Sequence, residues 1–319
     1  MSENPLRLGI AGFGRMGQAH ARTAAARDLF RVAGIFDPDE ARRREASKAG
    51  FETFAELGPL LERCEALVVA APTLHHRSLS LEALAAKKAL LVEKPLARTL
   101  AEGEEILAAA RGRLVQVGHI ERFNPAVEYL VSHEAQPRFI QAERLTRGDG
   151  RSGDVSVVHD LMIHDIDVVL SLVRSRVASF QAIGLPVLSK LDDLVHVRLS
   201  FEDGCLANLS ASRISLKPKR EIRLFYPDRY ASVDYQAQKV RVYEKKTVRG
   251  KDKISGGRVR IATREPLAAE LESFAAYVRG QGACRVPVEA GLEALRLAEG
   301  VTRELERQRI PSPKGRGLG

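Results

Sequence analysis

The segment LRLGIAGFGRMGQAH (Leu6–His20) decides the fold. Its apolar first half reads as a β-strand. That strand ends in Gly12-Phe13-Gly14-Arg15-Met16-Gly17, a G-x-G-x-x-G that opens a helix. Strand, glycine turn and helix in that order are the context in which the pattern carries chemistry. The glycines make the tight turn and let the backbone approach a diphosphate, which rests on the positive end of the helix. A second strand, FRVAGIFD, ends at Asp37, some twenty residues beyond the last glycine. A carboxylate there accepts both adenosine ribose hydroxyls and repels a 2′-phosphate, which favours NAD over NADP. Arg42, Arg43 and Arg44 follow, either as a solvated helix face or as cations that would admit the phosphate.

Working outward, EALVVAAP, ALLVEKP and LVQVGHIERF read as further strands. The stretches PDEARRREASKAG, HHRSLSLEALAAK and TLAEGEEILAAARGR between them read as helices. Such alternation makes βαβ units and a parallel sheet covered on both faces. The texture changes near Asn124. A helix, NPAVEYLVSH, leads to the strands PRFIQAERLTR and ASFQAIGLPV and to a hairpin, LVHVRLSFEDGCLANLSASR, turned at EDG. EIRLFYP, ASVDYQ and QKVRVYEKK are further strands, VRGKDKISGGR a polar loop, and EPLAAELESFAAYVRG and VEAGLEALRLAEGVTRELERQ two closing helices. The expected fold class is α/β. A doubly wound Rossmann domain spans residues 1–123, an α+β domain on a mostly antiparallel sheet spans 124–310, and a frayed tail covers 311–319.

Composition narrows the function classes. The chain has 319 residues, 45% of them hydrophobic, no Trp and three Cys. Cys64, Cys205 and Cys284 stand far apart with no metal-ligand spacing, which fits a reducing cytoplasm. No run approaches the roughly 18 apolar residues of a membrane span, and the first residues lack a signal-peptide pattern. The net charge of +9 raises a nucleic-acid reading, but no aromatics interleave with the scattered basic residues. A small anionic substrate, or a solvated basic surface, accounts for the charge as well.

Three further stretches carry chemistry. Ala71-Pro72-Thr73, with His75 and His76, ends a strand where open α/β sheets bind ligands. Glu93-Lys94-Pro95 ends another, and a Lys there can stabilise a developing alkoxide or move a proton. VVHDLMIHDIDVV (Val157–Val169) sets two His and three Asp in an apolar helix. At about 100° per residue, Asp160, His164 and Asp167 fall within an arc of roughly 60°, while His159 and Asp165 point elsewhere. That stripe faces a cleft or is internally satisfied. His159 and His164 lie about 140° apart on such a helix and cannot converge on a metal.

Taken in order, GIAGFGRMG, AAPTLHHRSLSLEAL, LVEKPLA, VGHIERFNPAV, DLMIHDID and VEAGLEALRLAEGV resemble the glucose–fructose oxidoreductase/inositol dehydrogenase (Gfo/Idh/MocA) family over nearly the whole chain. The resemblance implies a large open-faced sheet in the second domain, and hence a homodimer or homotetramer. It also implies nicotinamide-dependent chemistry at a sugar or cyclitol carbon. The family's catalytic lysine matches Lys94, and its paired Asp and His match Asp160 and His164, with Asp160 orienting His164. Which of Lys94 and His164 takes the proton stays open. VGHIERFNPAV with DVSVVHDLMIHDIDVVLSLV looks most like the branch that oxidises C3 of UDP-N-acetylglucosamine in lipid A biosynthesis. A diphosphate-bearing substrate would suit Arg122, Arg144 and Arg147, with Asn124 and Asp167 as further candidate contacts. The cofactor set is Gly12, Phe13, Gly14, Arg15, Met16, Gly17, Asp37, Ala71, Pro72, Thr73, His76, Glu93, Lys94 and Pro95. Where the family carries glycines before the DLMIHDID helix, this chain has Gly153-Asp154-Val155-Ser156, and His159 has no assigned role. The alternatives are a reductase of a carbonyl, imine or tetrapyrrole, and a non-catalytic NAD-binding regulator.

Overall fold

Strands β1 (Leu6–Ala11), β2 (Phe30–Phe36), β3 (Thr53–Phe54), β4 (Ala66–Val69), β5 (Ala89–Glu93) and β6 (Val115–Gly118) form one all-parallel sheet in the order β3-β2-β1-β4-β5-β6. The computed structural model describes residues 4–133, 135–147, 155–248 and 251–308. Every residue of β4 and β5 is buried, as strands covered on both faces require. The covering helices are α1 (Arg15–Ala25), α2 (Glu40–Lys48), α3 (Leu57–Arg63), α4 (His76–Ala85) and α5 (Leu100–Ala109). Asp39 and Thr99 cap α2 and α5 by accepting the amides of Ala41 and Glu102.

After α6 (Pro125–Val131), the second sheet takes β7 (Phe139–Arg147), α7 (Ile163–Leu172) covers it, and β8 (Val177–Leu185), β9 (Leu194–Phe201), β10 (Leu206–Ser212), β11 (Ile214–Phe225), β12 (Arg229–Asp234), β13 (Lys239–Val248) and β14 (Lys251–Val259) follow. Its order is β14-β13-β12-β11-β7-β10-β9-β8, antiparallel except where β7 meets β10. The doubly wound sheet and the mostly antiparallel one are the expected fold class.

Helix α8 (Pro266–Val278) returns to the first sheet, placing Leu271, Phe274 and Ala275 in one core with Leu8 and Ile10. Helix α9 (Val288–Gln308) is shared. Leu292 and Leu295 join the core of β4 and β5, while Ala298, Val301 and Leu305 join that of the second sheet. Two glycines set its approach. A Cβ on Gly291 would stand 2.7 Å from Val117 of β6, and one on Gly300 would stand 3.3 Å from Phe180 of β8.

Local expectations need correction. LVQVGHIERF is a strand only as far as Gly118. Ile120–Phe123 is a 3₁₀ turn, because Asn124 and Pro125 start α6 and the chain must turn into it. KDKISGGRV, read as loop, is strand β14, whose backbone pairs with β13 without any apolar alternation. Residues 53–63, given no element, hold β3 and α3. The tail 311–319, Gly153 and Asp154 lie outside the described residues. No helix among the described residues is long and apolar enough to cross a membrane.

Candidate active site

A cleft of about 810 Å³ runs from the carboxyl edge of the first sheet to the inner face of the second. Its first wall is formed by Arg15 and Met16, which the glycine turn carries. Gly12 has φ +95°, and a Cβ there would lie 2.8 Å from Ala70 O, so the turn admits only glycine. A Cβ on Gly17 would fall 1.9 Å from Gly12 O, whereas one on Gly14 would meet nothing within 4 Å. The turn is therefore closed behind and open at Gly14, where the backbone can meet a diphosphate at the start of α1. Asp37, buried at the end of β2, accepts the Phe13 amide (2.8 Å) and the Asp39 amide (2.9 Å). Its carboxylate keeps acceptor capacity for ribose hydroxyls. These residues fit NAD. Arg42 and Arg44 pair with Glu45 and Glu40 along α2, but Arg43 folds back and donates to the carbonyls of Asp37 and Pro38.

The next wall joins two strand ends. His76 lies 2.9 Å from both Pro95 O and Ala71 O, tying the turn after β4 to the turn after β5. Burial holds its pKa below the ordinary value. In Glu93-Lys94-Pro95, Glu93 Oε1 lies 2.7 Å from His20 Nε2. Lys94 Nζ crosses the cleft to donate to Asp160 O (2.7 Å) and sits 3.6 Å from Asp160 Oδ1. Burial lowers the pKa of Lys94, against the pull of Asp160 and Glu93.

The far wall overturns the helical-wheel reading. Val158–Met162 form a π-turn ahead of α7, with a wider ring than the 100° step assumes. His159, Asp160 and His164 all line the cleft in consequence. The premise that His159 points away is thus corrected, although the three do not converge as a ligand set. Among the described residues, the group of three such side chains close enough to hold an ion is His20, Glu93 and Glu270. Asp160 does not orient His164: no hydrogen bond joins them, and Asp160 engages Lys94 instead. His164 Nδ1 is buried without a partner among the described residues. Burial first, then the charges of Lys94 and Arg144, drive its pKa well down, so the ring is neutral near neutral pH. Burial likewise lowers His159 and His119, a buried ring that sequence reasoning passed over.

Arg15, Met16, Ala71, Thr73, Glu93, Pro95, Arg144 and Arg147 also line the cleft. Gly12, Phe13, Gly14, Gly17, Asp37 and Pro72 are not among its lining residues. Three substrate candidates are corrected. Asn124 is buried and caps α6, accepting Ala126 N–H (3.1 Å) and donating to Tyr235 O (2.9 Å). Arg122 and buried Asp167 pair with each other (3.4 Å) and do not line the cleft. Arg144 forms the cleft floor. It holds Asp165 through two bonds (2.8 and 3.0 Å) and Glu121 (2.9 Å), over the ring of Tyr235 (5.2 Å).

Two arginines were missed. Arg220 precedes Ile222 and Leu224 on the inner face of β11 and reaches the cleft; the strand had been begun one residue too late to include it. Arg213 leans on Asp193 (3.7 Å). Asp193 in turn gathers the amides of Val187, Leu188 and Ser189 at 2.8, 2.6 and 2.8 Å. Burial would raise its pKa, but those amides hold it at about 2.

A glycine turn that cradles a dinucleotide, next to a half-buried lysine and a neutral histidine, defines an NAD-dependent oxidoreductase. The family model for an "Oxidoreductase family, NAD-binding Rossmann fold" matches residues 6–119, and the "GFO/IDH/MocA C-terminal domain" matches residues 126–230. The chain belongs to the Gfo/Idh/MocA family and is an NAD-dependent dehydrogenase acting on CH–OH. It is 34% identical over 275 residues to a UDP-N-acetylglucosamine 3-dehydrogenase of Acidithiobacillus ferrooxidans, covering 84% of this chain and 87% of that one. A solved structure of that enzyme superposes with a TM-score of 0.87 at 32% identity, over 95% of this chain and 98% of that one. An inositol 2-dehydrogenase of Rubrobacter xylanophilus is 31% identical over 233 residues, 65% of each chain.

Proposed function

We propose that the chain oxidises a ring hydroxyl of a nucleotide-linked sugar, C3 of UDP-N-acetylglucosamine, to the ketone. One observation carries the reading: Lys94 and neutral His164 face a cleft that Arg147 and Arg220 also line, neither ion-paired among the described residues. Bound NAD supplies the hydride acceptor. His164, kept unprotonated by burial, takes the hydroxyl proton, and its pKa depression suits a base that must be neutral when substrate arrives. Lys94, aimed by the carbonyl and carboxylate of Asp160, donates to the same oxygen as its charge develops. Arg147 and Arg220 offer donors to the diphosphate. The 34% identical nucleotide-sugar dehydrogenase supports this substrate. The inositol dehydrogenase match favours a second reading, a free cyclitol. The ketone would feed an aminotransferase of lipid A synthesis, and the three free cysteines accord with a cytoplasmic enzyme.

We place a homodimer or homotetramer on the outer face of the second sheet. There Phe139, Phe225, Tyr230 and Tyr243 stack in a row with ring spacings of 5.5, 5.1 and 6.3 Å. Beside them Glu143 bridges Lys219 and Arg223, so the face is less apolar than the sequence implies. Light scattering showing only monomer at micromolar concentration refutes this.

The catalytic reading is tested by turnover of NAD with UDP-N-acetylglucosamine against myo-inositol, in wild type and Lys94→Ala. The nucleotide sugar is the expected substrate, and Lys94→Ala removes turnover while NAD binding persists. Undiminished turnover in the variant, or inositol oxidised while the nucleotide sugar is inert, sinks it.

A further inference from the structure

Behind the Glu93-Lys94-Pro95 turn lies a polar cluster that the reaction above does not use. His20 of α1 is fully buried beside Glu93. Glu270 of α8, also 0% exposed, brings a carboxyl oxygen within 4.8 Å of the other two residues' polar atoms. Neither oxygen of Glu270 has a hydrogen-bond partner among the described residues, and neither does His20 Nδ1. Glu93 is committed on both sides, Oε1 to His20 and Oε2 to the Lys94 amide (3.3 Å).

Two ionised carboxylates this close, in an apolar setting, repel each other and forfeit hydration. The charged groups of neighbouring elements relieve Glu93 but not Glu270. Arg27, just beyond α1, pairs with Glu265 and Glu272 at the exposed side of α8. In the turn 120–123, Glu121 pairs with Arg144 and Arg122 with Asp167. Lys94 and His76 face Glu93. A divalent cation would also satisfy the three side chains. Yet the 2.7 Å contact of His20 with Glu93 is a hydrogen bond, shorter than the roughly 3.3 Å between two ligands of a tetrahedral metal.

We propose that Glu270 is a neutral carboxylic acid whose proton bonds into the Glu93–His20 pair, so that the two carboxyls share one negative charge held on Glu93 behind Lys94. Burial and the nearby Glu93 push the Glu270 carboxyl well above its ordinary range. At Glu93 the His20 bond and the Lys94 charge outweigh burial and lower the pKa. Glu270 is thus a positioning residue: it fixes Glu93, and Glu93 supports the ammonium form of Lys94. This link rests on Lys94 being the catalytic lysine; the proton on Glu270 does not.

Infrared difference spectra of the full chain, wild type minus Glu270→Gln, test the proton. A protonated-carboxyl band near neutral pH is expected, and its absence overturns the proposal, as does a divalent metal bound in equal amount to the purified chain. The pH profile of kcat/KM tests the link. Glu270→Ala removes the donor and lets Glu93 turn away, moving the alkaline limb to lower pH by about one unit. Glu270→Gln keeps a neutral donor and keeps the limb in place. Limbs that coincide in all three proteins, with the band present, overturn the link to Lys94. A limb moved by Glu270→Gln shows that the wild-type residue was charged, and overturns the proposal whether or not Glu270→Ala folds.

Discussion

Arg144→Met removes a guanidinium that is 3% exposed and holds two carboxylates, Asp165 at 2.8 and 3.0 Å and Glu121 at 2.9 Å. Methionine keeps much of the volume, so the main loss is electrostatic. Removing one partner of a buried ion pair costs about 3–5 kcal/mol, because the remaining charge stays desolvated. For 319 residues, an unfolding entropy of about 2.1 cal/mol/K per residue turns that into a midpoint drop of about 4–7 °C. Acid should reduce the deficit. Burial already raises the Asp165 pKa against the pull of Arg144, and without Arg144 it rises further. A carboxyl with a higher pKa folded than unfolded binds more protons in the folded state. Stability is therefore regained as pH falls through the folded pKa, by at most about 1.4 kcal/mol per unit for this one group. Differential scanning fluorimetry of wild type, Arg144→Met, Asp165→Asn and the double variant, at about pH 7.5 and about pH 5, reads these effects. The double variant should be the more stable of the two that lack Arg144. A neutral-pH deficit below about 1 °C, or one that grows on acidification, refutes the argument. Arg144 also helps keep His164 uncharged, so the acid limb of kcat/KM should move to higher pH in Arg144→Met.

Other changes separate scaffold from site. Asn124→Ala should cost about 1–2 kcal/mol in chemical denaturation, as loss of a helix cap does, with little change in the sugar KM; a KM rise above about tenfold restores Asn124 as a substrate contact. Gly17→Ala places a Cβ where Gly12 O now lies, 1.9 Å away, and should weaken NAD binding by more than about tenfold in calorimetric titration; unchanged affinity would show that the turn can yield. Asp37→Ala strips the acceptor from the Phe13 and Asp39 amides and should raise the NAD Kd relative to that of NADP, with Arg43 left at the adenosine edge; an unaltered ratio removes Asp37 from cofactor choice.

Much of the architecture was legible because its signals are local. The Leu6–His20 segment sets strand, turn and helix within fifteen residues, and the apolar runs ALVV of β4 and ALLV of β5 read as strands buried on both faces. What stayed hidden depends on neighbours. β3 has two residues, and α3 carries Gly58 and Pro59, so neither shows a usable period. The wheel drawn for the DLMIHDID helix assumed uniform α-geometry, and one π-turn moved His159 onto the cleft. Asn124 followed by Pro125 is an N-cap signature at the start of the helix read over NPAVEYLVSH, and capping already occupies the side chain also counted as a substrate contact. Glu270 did leave a trace, a lone carboxylate on the apolar face of α8 between Leu267 and Phe274. Only the fold shows that His20 and Glu93 wait beside it.

Helix α9 works as a tie beam. At about 1.5 Å per residue its 21 residues span roughly 31 Å, and it is wedged at two points, Gly291 in its first turn against β6 and Gly300 near its middle against β8. A wide hinge rotation between the two sheets would have to bend the beam or tear it from one of its seats. Traffic through the cleft is then left to side chains and rim loops, while the spacing between the glycine turn and the His164 wall stays nearly constant from turnover to turnover. Hydride donor and acceptor would meet at a distance set when the chain folds, with no closing motion needed to bring them together.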